Sequence, residues 1–80
     1  MATVHFPNDL RHYTGGLESL DIDAPRVHEL FMALAERYPG MAEELEKVAV
    51  AIDGDIYNDA PYHKLQPGSE IYLMPKIAGG

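Results

Sequence analysis

The sequence predicts a small α+β domain, a sheet covered on one face by a single main helix, and three observations carry that expectation. Apolar and polar residues alternate with the period of a strand at Thr3 to Phe6 and at Leu20 to Asp23, and Val48, Val50 and Ile52 alternate with Ala49 and Ala51 at the same period. One segment repeats its apolar residues at helical spacing instead: Val27, Leu30, Phe31, Leu34, Ala35 and Tyr38 fall at i, i+3, i+4 and i+7. The chain is 80 residues long, room for one hydrophobic core and no second.

The first strand is expected to end at Pro7-Asn8-Asp9, whose residues favour turns. Leu10 to Tyr13 reads as irregular, Thr14-Gly15-Gly16 breaks the chain, and the second strand pairs back beside the first. Asp23 with Pro25 just inside is a start signal for the helix, and Pro39-Gly40 is its stop. Met41 to Lys47 has helical residue types for one or two further turns. Asp53-Gly54 is a hairpin signal, because both turn positions tolerate positive φ, so strands three and four should meet there. Asp59-Ala60-Pro61 and Gln66-Pro67-Gly68-Ser69 punctuate a loop, and Glu70 to Pro75 forms the last strand. In that strand Ile71 and Leu73 point one way and Tyr72 and Met74 the other, so both faces are apolar. One helix covers one face. Tyr72 and Met74 therefore either pack under a loop or form a patch for a partner.

Composition removes several functional classes. No cysteine is present, which excludes disulfides, thiolate metal sites and thiol chemistry. Thirteen acidic residues against six basic give a net charge of −7, unsuited to nucleic acid or to anionic membrane surfaces. That charge serves solubility, or it steers the domain toward a basic partner. Neither a signal-peptide core nor a membrane-spanning run occurs, so the cytoplasm is the expected location. His5, His12, His28 and His63 lack metal-ligand spacing and read as surface or capping residues; no metal site is expected. Ser19 and Ser69 lie outside any nucleophile elbow, and no phosphate-binding glycine pattern exists, so the chain should not bind ATP itself.

What remains is the segment after Pro75: Lys76, Ile77, Ala78, Gly79 and Gly80. The expected division is a folded domain over residues 1–75 and a flexible tail over 76–80. Two final glycines arise by chance in about one chain in two hundred, so the pair is a weak signal alone. Its chemistry is specific all the same. A segment without Cβ atoms threads a narrow tunnel in extended form, and its carboxylate is open on both sides.

The chain resembles the MoaD/ThiS family of sulfur carriers. The resemblance lies in Val4-x-Phe6 with Leu10-Arg11, in Thr14-Gly15-Gly16, in Leu34 to Gly40 and in Val50 to Asp55. Most specific is Leu65 to Pro75 running into Ala78-Gly79-Gly80. The resemblance implies a ubiquitin-like β-grasp fold with a mixed sheet. It implies that a ThiF/MoeB-like adenylating enzyme uses ATP to activate the Gly80 carboxylate, with Gly79 beside it, and that a thiocarboxylate then donates sulfur to an intermediate in a partner synthase. The carrier is then a co-substrate or small subunit and not an autonomous catalyst, and it binds no cofactor of its own. Phe6, Tyr72, Met74, Pro75, Lys76, Ile77 and Ala78 would meet the partners, including a synthase large subunit or another sulfur-accepting enzyme.

Length and the long central helix favour a molybdopterin-synthase small subunit. Carriers for cysteine, thiamin or specialised metabolites, a protein modifier forming isopeptide bonds, and a non-conjugating binding module are the alternatives. Two departures stand out. Arg26 occupies the place of a threonine helix cap, which implies a helix start moved toward Asp23 or weakened. Lys76 replaces a proline or small residue at the tail's root, with consequences for docking.

Overall fold

The computed structural model describes residues 1–58 and 61–76. Five strands form one mixed sheet: β1 (Ala2–His5), β2 (Ser19–Ile22), β3 (Val48–Ile52), β4 (Asp55–Tyr57) and β5 (Glu70–Pro75). They are ordered β2-β1-β5-β3-β4. Only the central β1–β5 pair is parallel, joining Val4 to Ile71 and His5 to Tyr72. The other three pairings are antiparallel. The expected α+β class is therefore observed, with β3 and β5 at their expected bounds. At Asp53 and Gly54 φ is 49° and 98°, the positive values that a two-residue hairpin turn needs to match strand twist.

Helix α1 (Val27–Arg37) lies across one sheet face. Its apolar stripe supplies Leu30 and Leu34, both 0% exposed, against Val4 and Ile71, also 0% exposed. Each such side chain contributes about 1.5–3 kcal/mol by leaving water. Tyr38 ends the helix with its N–H on the Leu34 carbonyl, and Pro39 cannot extend it. A 3₁₀ turn at Pro39–Met41 and a four-residue helix α2 (Ala42–Leu45) follow, burying Met41 and Leu45. Gly40 lies close under the Tyr13 ring: a Cβ there would come within 3.2 Å of it, so the ring would have to shift by a few tenths of an ångström.

Three expectations need correction. Residues Asn8–Thr14, read as irregular around Leu10 to Tyr13, form a 3₁₀ helix. Its signal is faint because two residues, Leu10 and Thr14, are all that it buries. Thr14 closes the element by donating its hydroxyl toward the Arg11 and Leu17 carbonyls. The first two strands each sit one residue earlier than expected, although Phe6 still donates its N–H to the Glu18 carbonyl. Finally, α1 does not begin nearer Asp23. It starts at Val27 with Arg26 extended and no side-chain cap. The orphan donors find backbone partners in the 61–65 loop: Val27 N–H bonds the His63 carbonyl at 3.1 Å and His28 N–H the Pro61 carbonyl at 2.7 Å. Leu65 N–H returns to the Pro25 carbonyl, and Arg26 bridges Lys64, so loop and helix start hold each other.

The packing predicts a sharp contrast on α1. Leu30→Ala should lower unfolding free energy by about 3 kcal/mol, whereas Met32→Ala, at a site 58% exposed, should change it by less than about 0.5 kcal/mol. Urea unfolding of the two variants checks this, and equal losses would contradict the assigned helix face.

Candidate functional site

The site expected around the last strand is built from strand parity. Along β5, Ile71 and Leu73 face the core, while Glu70, Tyr72 and Met74 face away from the helix. Tyr72 is 49% exposed and Met74 half-buried, so of the two readings of these residues the structure supports an open surface at Tyr72. The turn entering β5 is fixed by Ser69, which is buried: its Oγ accepts the Gln66 N–H at 3.0 Å, and its N–H bonds the Gln66 carbonyl. Pro75 ends the strand, exposed, and Lys76 follows with its N–H 3.4 Å from the Lys47 carbonyl. Ile77, Ala78, Gly79 and Gly80 lie outside the described residues.

Phe6 is placed differently from the expectation. It shares the parity of Val4, points inward and is 2% exposed, with its ring edge-on to Tyr38 at 6.5 Å. It therefore belongs to the core and offers no side-chain surface for a partner to meet. The outward residue of that strand end is His5, whose ring stacks on Tyr72 with centroids 4.2 Å apart and planes 8° apart. His5 Nε2 also lies 3.2 Å from Glu70 Oε1.

The pairing register extends this cluster. His5, Tyr72, Ala51 and Ile56 stand on one rung across β1, β5, β3 and β4. On one side of that rung lie Met74 and Ala49; on the other lie Thr3 and Glu70, with Asp21 beside Thr3, whose hydroxyl donates to Asp21 Oδ1. The outer face is thus apolar toward the end of β5 and acidic toward its start. Next to Tyr72 and Met74, Pro7 and Arg11 complete a hollow of about 340 Å³. Arg11 is held there by the Phe6 carbonyl at 3.1 Å, the Asn8 side chain at 2.6 Å and Glu18 at 3.5 Å. A second groove, about 530 Å³, lies between α1 and the β3–β4 edge, with Phe31, Val48 and Tyr57 in its walls and Lys76 beside them.

His5, Ala51 and Ile56 were not expected in the site. Parity alone places His5 outward between Val4 and Phe6, and Ile56 is the one aliphatic residue of β4. Of the other histidines, His12 and His28 are exposed, and His63 packs its ring against Tyr57 at 4.7 Å. Among the described residues no group of three or more histidines or carboxylates is placed to hold a metal ion, and no helix is long and apolar enough to cross a membrane. The described site is thus an exposed sheet face beside the end of β5.

A mixed sheet in this order, with its first and last strands parallel at the centre and a helix across one face, is the ubiquitin-like β-grasp. The domain is a ubiquitin-like sulfur carrier in class. The chain belongs to the ThiS family, which matches residues 4–80. No curated protein matches it. Among solved structures it is similar to the CysO of the Amycolatopsis orientalis BexX/CysO complex, at 24% identity, TM-score 0.83 and full coverage of both chains. It is similar to the Helicobacter pylori complex of subunits 1 and 2 of molybdopterin-converting factor, at 26% identity and TM-score 0.70, covering 99% of this chain and 97% of that one. It also resembles small archaeal modifier protein 1 of Methanosarcina acetivorans, at 18% identity and TM-score 0.80, covering 99% and 95%.

Burial separates two aromatic residues of the expected site. Phe6→Ala should remove about 3–5 kcal/mol of stability, a large part of the margin of a small domain. Tyr72→Ala should remove about 1 kcal/mol, mainly the ring stack. Thermal melts of both variants decide the matter; a mild Phe6→Ala would contradict its core placement.

Proposed function

We propose that Gly80 supplies a carboxylate that other proteins activate and load with sulfur. The observation that carries this reading is the family match, which runs through residue 80 and so includes the Gly79-Gly80 pair. A ThiF/MoeB-like adenylating enzyme binds the domain, and the Gly80 carboxylate attacks the α-phosphorus of ATP, forming an acyl adenylate and releasing pyrophosphate. A sulfur nucleophile then displaces AMP and leaves a thiocarboxylate. Activation is needed because a carboxylate is a poor electrophile and its oxygen a poor leaving group, whereas AMP leaves readily. The thiocarboxylate sulfur attacks the acceptor held by a second partner, and the carboxylate is regenerated by hydrolysis. The domain turns over as a co-substrate, and the chemistry is completed in its partners' sites.

For the acceptor, we propose molybdopterin synthesis, with this chain as the small subunit beside a synthase large subunit. Support comes from the 26% identity to subunit 1 and 2 material of the Helicobacter pylori molybdopterin-converting factor over nearly the whole of both chains. In that assembly Tyr72, Met74, Pro75 and Lys76 would meet the large subunit, and Ile77 and Ala78 would lead the terminus into its site.

Intact mass spectrometry tests the reading. The chain, incubated with a ThiF/MoeB-like enzyme, ATP and a sulfide source, should exchange one oxygen for one sulfur at Gly80. Deleting Gly80 should abolish the exchange while leaving thermal stability nearly unchanged. Covalent attachment to lysines of other proteins would replace sulfur donation with protein modification. Absence of both products, with no ATP-dependent adenylate, would overturn the proposal.

A further inference from the structure

The outer face of the sheet contains a slot whose walls and charge define a particular visitor. On the central rung, His5 covers one face of the Tyr72 ring. Because β5 lies between β1 and β3, the opposite ring face looks across Ala51 toward Ile56 on β4. Both walls are open to solvent, Tyr72 at 49% and Ile56 at 53% exposed, and the floor between them is a single methyl group. Adjacent strands lie about 4.8 Å apart, so the two walls stand roughly 10 Å apart. A flat group packed between them at van der Waals contact needs roughly 7–8 Å. The slot therefore accepts one planar group edge-down on Ala51.

Its electrostatics are one-sided. Glu70 stands two residues from Tyr72 on the same face, roughly 7 Å along the strand, with one carboxylate oxygen near His5. Asp53 adjoins it, its Oδ1 accepting the Glu70 N–H at 2.9 Å. No lysine or arginine belongs to the described strand residues of this face, and Arg11 at its margin is already engaged by Glu18, Asn8 and the Phe6 carbonyl. A chain of net charge −7 thus presents a flat aromatic wall beside two carboxylates and no competing cation.

We propose that this slot receives an arginine side chain of the partner protein, its guanidinium flat against Tyr72 and its N–H groups directed at Asp53, with the Glu70 charge behind the ring adding to the attraction. The proposal deepens the carrier reading, on which it rests, by naming a chemical feature of the protein that docks on this face. Arginine fits better than lysine because its planar fork stacks on a ring and bonds carboxylates in the same plane, while an ammonium does neither. His5 acts as a positioning residue: it fixes the Tyr72 ring from the β1 side, where it also holds one Glu70 oxygen.

A titration that involves neither Gly80 nor an enzyme tests the slot. The ¹⁵N-labelled full chain is titrated with a capped alanine–arginine–alanine tripeptide, with its citrulline counterpart, which keeps the shape and lacks the charge, and with its lysine counterpart. Saturable, salt-sensitive shifts centred on the amides of Ala51, Ile56, Glu70 and Tyr72 are expected for arginine, with citrulline at least about fivefold weaker. Tyr72→Leu and Asp53→Asn should each weaken binding about five- to tenfold while the spectrum stays that of the folded chain. Equal response to citrulline, shifts centred elsewhere, or none at all would overturn the slot, and an equally tight lysine peptide would overturn the assignment to a guanidinium. A chain that binds arginine here but takes up no sulfur would refute the carrier reading alone; one that takes up sulfur but ignores arginine would refute the slot alone.

Discussion

The parallel ladder between β1 and β5 is the constraint on which the rest of the structure depends. It joins residues almost the whole chain apart, Thr3 with Glu70, Val4 with Ile71 and His5 with Tyr72, so its loop-closure entropy must be met by the core it organises. Val4 and Ile71, both fully buried, form the floor on which Leu30 and Leu34 of α1 rest. Remove this ladder and the sheet divides into the β2–β1 pair, marginal on its own, and the three-stranded β5–β3–β4 piece, so that neither carries the whole floor under α1. The ladder also creates the outer rung, because His5 and Tyr72 meet only across it.

A division of labour between the two sheet faces follows from strand parity. Inward positions on β1, β3 and β5 are aliphatic or aromatic and closed by the helix; outward positions grade from Met74 over Ala49, through Tyr72 and Ala51, to Glu70 and Thr3. Small residues at 49 and 51 keep the middle of the face low. Large ones at 56, 72 and 74 rise around it, and such relief suits recognition of another surface better than enclosure of a small substrate. The proposed reactive group, Gly80, follows β5 in the sequence, so the outer face and the proposed chemistry belong to different parts of the chain.

Much of this was legible in the residues. The alternation of Val48 to Ile52, the Asp53-Gly54 turn and the alternation of Glu70 to Pro75 marked β3, its turn and β5 because each signal is local. Helix α1 was legible for the same reason, through six apolar residues at one spacing. The 3₁₀ helix at Asn8–Thr14 was not, since its tight turns bury too few residues to leave a period. The start of α1 was hidden for another reason: the groups that cap it are backbone carbonyls of Pro61 and His63, more than thirty residues downstream, and no side-chain type encodes them. Phe6 shows what resemblance overrides. Its parity with Val4 already pointed it inward, and the core placement follows that alternation instead of the implied partner contact. The rung of His5, Tyr72, Ala51 and Ile56 needs four strands brought into register, which is tertiary information.

The parallel arrangement of the outermost chain segments at the sheet's centre has a mechanical consequence. β1 enters at one end of the ladder and β5 leaves at the other, so traction applied to the two ends of the domain pulls these neighbours lengthwise past each other. Their hydrogen bonds share that load and must yield together, unlike an antiparallel edge, which opens one rung at a time. Resistance to such traction is governed by an unfolding rate and not by equilibrium stability. A machine that draws on the segment beyond Pro75 would therefore meet the strongest part of the fold first.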